Sequence, residues 1–419
     1  MRHLILFFLF AFSSRVLAEE YCAKQEAVTS FGEWISPGPT LTAAGGHWST
    51  PITPAPLGFH AASLRLALRV VSAGDARNWH IVVRDASMRP IATLGPKDFL
   101  DSDGAMSRTR WTGRLQVETA RVDLLAPPSS KVKIEVTEIV AFPAESSEVH
   151  LFSVVRKKPS WRPLYAAERE AVAKRAGDVL GMLTAGSEDP DGGPRLSWCC
   201  SGVMLAPDLL LTNWHCGGHP KLGNAALYWN DGVCDSMLVD LSWDWDPVGP
   251  SSGRTGASRQ FSCLSIEVKD RRLDYALIRL GPVVGAGGSI GEPVSAPTER
   301  SAPAKDTPVF LLHHAKCSPK LISQNCSVRS PNYRAWWSPN AAVDAGSPDL
   351  THDCDSEPGA SGAPLFNWNG RLIGLHHVGF DRDENCEAID HVNKAVQIGE
   401  ILKHIEAVRP DIGKEILRE

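Results

Sequence analysis

The stretch DSEPGASGAPLF at residues 355–366 is the most informative segment of this 419-residue sequence. It places Ser361 between Gly359 and Gly362, and a proline and an apolar strand follow. Small residues let the backbone turn tightly and direct its N–H groups inward, which a nucleophile loop needs in order to stabilise an oxyanion. Glycine, serine and proline are also common turn residues, so this interpretation depends on a base and an orienting acid upstream.

An apolar segment that ends in a histidine supplies the base. Residues 199–205 (CCSGVML) predict a strand, and after a short turn residues 209–216 (LLLTNWHC) lead to His215 and Cys216. Cys200 and Cys216 flank this hairpin, and a disulfide between them would contribute about 3 kcal/mol by restricting the unfolded chain. We therefore expect His215 to be held at the rim of a domain, as a general base requires.

The orienting acid is expected in residues 274–280 (DYALIRL). An aspartate at the head of an alternating strand can be buried, accept a hydrogen bond from an imidazole N–H and fix its tautomer. Asp270 is a rival four residues earlier. Asp274 directly precedes the apolar run, and we therefore favour it.

Together, the motifs Leu-Thr-x-x-His-Cys, Asp-x-Ala-Leu-x-x-Leu and Gly-x-Ser-Gly-x-Pro resemble those of the chymotrypsin-fold serine peptidases. The resemblance runs from about Trp198 to Ile405. It implies an all-β fold of two six-stranded antiparallel barrels with a C-terminal helix, polypeptide substrates and no cofactor. It also implies a catalytic triad and an oxyanion hole, formed by His215, Asp274 and Ser361 and by the N–H groups of Gly359 and Ser361.

Finer features are similar to two bacterial groups within that fold. Residues 225–234, 309–314 and 357–362 resemble segments of lysyl endopeptidases, and residues 371–379 (RLIGLHHVG) resemble both lysyl and glutamyl endopeptidases. Ala360 stands where animal enzymes carry an aspartate that pairs with a newly cut N-terminus. Activation through that ion pair is therefore not expected.

The resemblance implies two alternative substrate pockets. Asp390 would pair with a lysine or arginine side chain, and this is our first expectation. A cationic His376 would instead bind an acidic side chain, as in glutamyl endopeptidases. His377 is a further pocket candidate, and Asp355 is a second acid with either a pocket or a structural role.

Ten cysteines in an exported chain suggest up to five disulfides rather than metal sites. No Cys-x-x-Cys or His-Glu-x-x-His string is present, so we expect no metal. In addition to Cys200–Cys216, a Cys354–Cys386 disulfide would brace the nucleophile loop. The shortest remaining loops are closed by Cys317–Cys326 and Cys234–Cys263, which leaves Cys22–Cys199. A pattern like that of lysyl endopeptidases would connect some of these differently.

The sequence divides into four regions, of which the last is implied by the resemblance. Residues 1–18 read as a signal peptide, 19–155 as a small β-sandwich with period-two alternation, 156–195 as a linker with a short helix, and 196–410 as the peptidase domain. The sandwich is expected to be an accessory domain or a pro-domain, and the basic residues 156–158 are either a processing site or merely solvated. Residues 396–405 repeat apolar side chains at helical spacing.

Charge and hydropathy restrict partners and location. The net charge of −5 has no basic block, so a nucleic-acid partner is not expected. No segment after residue 18 is long and apolar enough for stable membrane insertion, and we expect a secreted or periplasmic monomer. The competing hypothesis is a catalytically silent peptidase fold whose β-domain binds a protein or glycan.

Overall fold

The computed structural model describes residues 29–35, 40–42, 47–53, 60–73, 77–100, 109–127, 129–143, 154–155, 159–167, 170–193, 195–245, 253–254, 259–283, 294–333, 349–380 and 391–417. The predicted signal peptide, together with Cys22, Cys386 and Asp390, lies outside these ranges. None of the helices in the described part has the length and hydropathy that a membrane crossing requires.

The described N-terminal residues form ten strands, and all but the first of them make two packed antiparallel sheets. They are β1 (Thr29–Ser30), β2 (Glu33–Ile35), β3 (Thr40–Thr42), β4 (His47–Ile52), β5 (Ser63–Ser72), β6 (His80–Arg84), β7 (Pro90–Leu94), β8 (Thr109–Trp111), β9 (Ala120–Leu125) and β10 (Lys133–Phe142). One sheet has the order β2-β10-β5-β8, with β3 also on β10, and the other has β4-β9-β6-β7. Leu66 and Ile134 of the first sheet and Ile81 and Leu124 of the second share one buried core. The predicted β-sandwich is confirmed.

The next elements lead into the first barrel. They are β11 (Arg162–Pro163), α1 (Glu170–Gly177), β12 (Leu180–Ser187), β13 (Leu196–Ala206), β14 (Leu209–Thr212), α2 (Asp231–Ser236), β15 (Leu238–Asp240), β16 (Asp244–Trp245), β17 (Gly253–Arg254), β18 (Gln260–Asp270) and β19 (Tyr275–Pro282). Strands β13-β12-β15-β18-β19-β14 close because β14 pairs back onto β13. The barrel therefore begins at Leu180, inside the segment expected to be linker.

The second barrel is built in the same way. Its elements are β20 (Pro308–His313), β21 (Leu321–Tyr333), β22 (Asp349–His352), β23 (Pro364–Asn367), β24 (Leu372–Val378), β25 (Asn393–Gln397), α3 (Ile398–Val408) and α4 (Pro410–Ile416). Strands β21-β20-β23-β24-β25-β22 close through β21 and β22, and β11 lies along β21. Helix α3 buries the predicted apolar face, which includes Ile401 and Ile405. Two closed six-stranded barrels are the chymotrypsin-like architecture that the resemblance implied.

The sandwich is fastened to the first barrel. Strand β1 adds to β13 through Thr29 opposite Cys199. Phe31, Trp34 and Phe142 of the sandwich share a buried cluster with residues that follow it in the chain, namely Met182, Cys199, Trp243 and Cys317. Arg114 of the sandwich lies 3.9 Å above the Trp243 ring, and its backbone N–H donates to Gln260 Oε1 at 2.6 Å.

Four disulfides cross-link the described residues. The structure contains Cys200–Cys216 and Cys234–Cys263, as predicted, together with Cys199–Cys317 and Cys326–Cys354. The expected Cys317–Cys326, Cys354–Cys386 and Cys22–Cys199 pairings are therefore wrong. Cys199 on β13 and Cys317 beyond β20 approach to 5.8 Å between Cα atoms because the two barrels pack together.

Candidate active site

A single 3₁₀ turn places His215 at the edge of the first barrel. Strand β14 is buried throughout and runs into the turn Trp214–Gly217. His215 is 2% exposed. Cys216 in the same turn is bonded to Cys200 on β13, with 6.1 Å between their Cα atoms. The strand and the disulfide thus position the imidazole as the sequence predicts.

Asp274 orients that imidazole. Its Oδ1 accepts the backbone N–H of His215 at 3.0 Å, and its Oδ2 lies 2.8 Å from Nδ1. Burial acts against its ionisation, but His215 and His377 together lower the pKa of Asp274 to about 2. Asp274 has a φ of +43°, a conformation that residues other than glycine seldom adopt. The rival Asp270 instead caps its own turn by accepting the N–H groups of Arg272 and Leu273.

The His215 tautomer follows from this contact. A carboxylate only accepts hydrogen bonds, so Nδ1 carries the hydrogen and Nε2 keeps a lone pair. Nε2 is buried and has no hydrogen-bond partner among the described residues. A general base needs such a nitrogen, and its bond to a nucleophile often shortens only when substrate binds.

Two glycines shape the nucleophile loop. Gly359 has a φ of +96° and Gly362 a φ of +82°. A Cβ at Gly362 would stand 2.2 Å from the carbonyl oxygen of Ser201, so a side chain is excluded there on both counts. The Cys216 Sγ lies 3.8 Å from the Ser361 carbonyl oxygen. The loop therefore meets the turn that carries His215.

Ser201 on β13 joins the loop to both barrels. Its N–H donates to the Ser361 carbonyl at 2.8 Å, and its hydroxyl donates to the Gly359 carbonyl at 2.9 Å. The same hydroxyl accepts the N–H of His314 from the second barrel at 3.0 Å. This linking role of Ser201 is not visible in the sequence, because a serine within an apolar strand gives no local sign of it.

His377 lies behind Asp274, between that carboxylate and Asp349, and its expected role in a substrate pocket stays a prediction. Its Nδ1 is 3.3 Å from Asp274 Oδ2, and its Nε2 is 3.4 Å from Asp349 Oδ2. Burial disfavours the charged ring, yet Asp349 and Asp274 raise the pKa of His377 to about 9. A cationic imidazole between two carboxylates is therefore part of the site at neutral pH.

His376 is part of a buried chain of neutral groups. The Cys354 N–H donates to His352 Nδ1, so the His352 hydrogen is on Nε2, which lies 3.3 Å from His376 Nδ1. The His376 hydrogen is then on Nε2, 3.1 Å from Ser356 Oγ. Burial, reinforced by His352 and His377, holds the pKa of His376 well below its usual value. These contacts and this burial disfavour a cationic His376, and its place in a substrate pocket stays a prediction.

Comparison with known proteins agrees with this architecture. The sequence profile of the trypsin-like peptidase domain matches residues 200–375, the part that holds His215, Asp274 and Ser361. This stretch is similar to trypsin-like peptidase domains, and the similarity supports a serine peptidase.

Two solved structures of the Rv3671c protease resemble the chain at low identity. An inactive-form crystal structure from M. tuberculosis H37Rv, of a serine-to-alanine mutant, is 13% identical and has a TM-score of 0.39. That alignment covers 59% of this chain and 95% of the other. A second inactive form is 15% identical, with coverages of 58% and 95% and the same TM-score. No curated protein sequence matches the chain.

Proposed function

We propose that this protein is an exported serine endopeptidase that uses His215, Asp274 and Ser361. The observation that supports it most directly is the double contact of Asp274 with the N–H and Nδ1 of His215. This contact leaves Nε2 as the proton-accepting nitrogen, in a turn that adjoins the Ser361 loop.

The proposed reaction proceeds through an acyl-enzyme. Nε2 of His215 takes the Ser361 hydroxyl proton while Oγ attacks the scissile carbonyl carbon, and Asp274 stabilises the imidazolium. The N–H groups of Gly359 and Ser361 bind the oxyanion, an interaction worth about 3 kcal/mol per donor. His215 then protonates the leaving amine. Water, deprotonated by the same nitrogen, releases the acid and restores Ser361.

A fluorophosphonate probe tests this proposal. We expect the secreted wild-type protein to be labelled and Ser361→Ala to remain unlabelled, because only an activated serine reacts with the probe. The matched control is Ser130→Ala, since the Ser130 hydroxyl donates to the Pro127 carbonyl within a sandwich turn. A folded and processed wild-type protein that resists labelling would support the silent binding protein instead.

Cleavage after lysine or arginine, with Asp390 as the pocket acid, is the first candidate specificity. A second candidate is cleavage after acidic residues. It is favoured by the direction of the hydrogen bonds in the histidine chain, which run from His352 through His376 to Ser356. Because Ser356 Oγ accepts the His376 hydrogen, its own hydrogen is available to an acceptor such as a substrate carboxylate. Neutral donors can hold a carboxylate without a buried positive charge.

Mass spectrometry of cleaved peptide libraries separates the two candidates. If Asp390 selects the substrate, cuts follow lysine or arginine and Asp390→Asn removes that preference. If the histidine chain selects it, cuts follow glutamate or aspartate, and Ser356→Ala weakens them. A Lys or Arg preference that survives Asp390→Asn would contradict the role of Asp390.

A further inference from the structure

Asp355 stands six residues before Ser361 and is fully buried. Its backbone carbonyl accepts the Ser323 hydroxyl at 2.6 Å, so β21 of the second barrel fixes the main chain at this point. From the sequence alone, such an acid is a candidate for binding a basic side chain of the substrate. The contacts of its carboxylate indicate another role.

Both carboxylate oxygens are occupied by the segment that connects the sandwich to the barrels. Oδ1 accepts the N–H of Val155 at 2.7 Å. Oδ2 accepts the N–H of Ser160 at 3.0 Å and the Ser160 hydroxyl at 2.5 Å. A buried carboxylate is costly unless hydrogen bonds replace its water, and these three donors supply that replacement.

The connector is held on both sides of these donors. Val154 is buried, and the Trp161 ring meets His313 edge-on at 5.7 Å between centroids. Next, Arg162 and Pro163 pair with β21, and the Leu164 N–H donates to the Lys320 carbonyl. Asp355 therefore binds a segment that is already laid along the second barrel.

Two consequences follow for the nucleophile loop. A substrate cation could pair with Asp355 only by displacing three connector donors. In addition, the start of the loop is held by the connector, while its end is held by Ser201 and by the His376 carbonyl, which accepts the Gly362 N–H.

We propose that Asp355 is a positioning residue through which the connector holds the Ser361 loop in its reactive conformation. Asp355 does not select the substrate. This inference rests on the proposed peptidase function. Its physical basis is geometric, because misplacement of a nucleophile by about 1 Å can slow a reaction roughly a hundredfold.

The test compares Asp355→Asn and Ser160→Ala with wild type on peptides that differ only in the residue before the cut. An asparagine turns an N–H₂ group toward the connector donors, so we expect kcat to fall roughly tenfold to a hundredfold with KM nearly unchanged. The loss should be equal for basic, acidic and neutral substrates. Ser160→Ala should show a smaller loss of kcat, and Ser160→Thr, which keeps the hydroxyl, should restore it.

The controls separate this inference from stability and from the proposed function. Activities are measured well below the thermal midpoint of each variant, with Ser130→Ala expected to match wild type. A loss confined to basic substrates in Asp355→Asn would overturn the inference and make Asp355 the pocket acid. If Asp355→Asn does not fold, an unchanged kcat in Ser160→Ala overturns it as well. Failure of the wild type to react with a fluorophosphonate would contradict the peptidase function instead.

Discussion

Asp274 is the residue on which the electrostatics of the site converge. Three N–H groups, from the His215 backbone and from two imidazole rings, surround one buried carboxylate. Its positive φ is a strained conformation for aspartate, and such strain persists only where surrounding contacts enforce it. Because its pKa is lowered to about 2, its contribution to stability is present above about pH 4 and is lost as the pH falls toward 2.

His377 stabilises the fold in the opposite pH range, because its contribution is lost as the pH rises. Its pKa is raised from 6.5 to about 9, so its stabilising effect is complete below about pH 6.5 and is lost as the pH rises through 9. Both proteins carry Ser361→Ala. The free energy of unfolding with histidine at position 377 exceeds that of His377→Gln by an amount that should shrink by about 3 kcal/mol between pH 6 and pH 10. Urea unfolding at several pH values measures it.

The matched control for His377 is His60→Gln, because the side chain of His60 is 79% exposed on the sandwich. Measured alongside, it gives the background against which the His377→Gln result is read. If the difference in unfolding free energy between the protein with His377 and His377→Gln stays constant with pH, Asp349 and Asp274 do not hold the ring as a cation.

At the scale of elements, the site depends on turns more than on strands. Strand β14 ends in the His215 turn, Asp274 initiates β19, and the Ser361 loop runs into β23. Each functional side chain therefore sits where a barrel strand begins or ends. Regular backbone hydrogen bonding fixes the strand, and the adjoining turn directs the side chain.

Gly362 tests this dependence. An alanine there meets the Ser201 carbonyl oxygen at 2.2 Å, so the loop must move and labelling by a fluorophosphonate should fall at least a hundredfold. Gly223 is the control, because it has a φ of +62° but nothing within 4 Å of its added Cβ. Gly223→Ala should lose about 1 kcal/mol of stability and keep the wild-type labelling rate. Equal labelling of both variants would contradict a tightly confined loop.

At the scale of the whole molecule, the sandwich and the first barrel interlock. Gly186 of β12 accommodates the Trp34 ring, and an added Cβ would approach it to 2.2 Å. In return, Gly113 of the sandwich accommodates Gln260 of β18, where a Cβ would stand 2.5 Å from Oε1. The buried Arg65 donates to the Ser236 carbonyl at 2.8 Å. Separation would expose these groups to water without their partners.

We therefore predict that the sandwich stays bound after the connector is cut. A specific cleavage site replaces residues 156–158 in a Ser361→Ala, Cys22→Ser protein, which has neither self-digestion nor a covalent link through Cys22. After cleavage, both fragments should elute together in size-exclusion chromatography and separate only in denaturant. Separation in native buffer would identify the sandwich as a removable pro-domain.

A matched pair of variants tests the interface itself. Gly186→Ala should weaken the association of the cut fragments by about 1–3 kcal/mol, because the Trp34 ring must move. Gly232→Ala should not, since its added Cβ has only Asn230 Oδ1 nearby at 3.4 Å. If both variants elute like the cut parent protein, Trp34 does not contribute to the association.

Local patterns account for most of the correct expectations. Period-two alternation predicts the strands of the sandwich and barrels, because side chains alternate between the faces of a sheet. A histidine just after an apolar strand, an aspartate just before one, and a glycine-flanked serine predict the turns that hold His215, Asp274 and Ser361.

Contacts between distant segments depend on the tertiary structure. Cys199 and Cys317 are 118 residues apart, and only the packing of the two barrels brings them together. Tertiary packing also brings His377 to Asp274, and it places the connector residue Val155 against the Asp355 carboxylate. Sequence spacing reports which residues are neighbours along a strand or turn. It does not report which face of an element meets another element. The positions of His215, Asp274 and Ser361 at strand ends could therefore be predicted, while the partners of His377 and Asp355 could not.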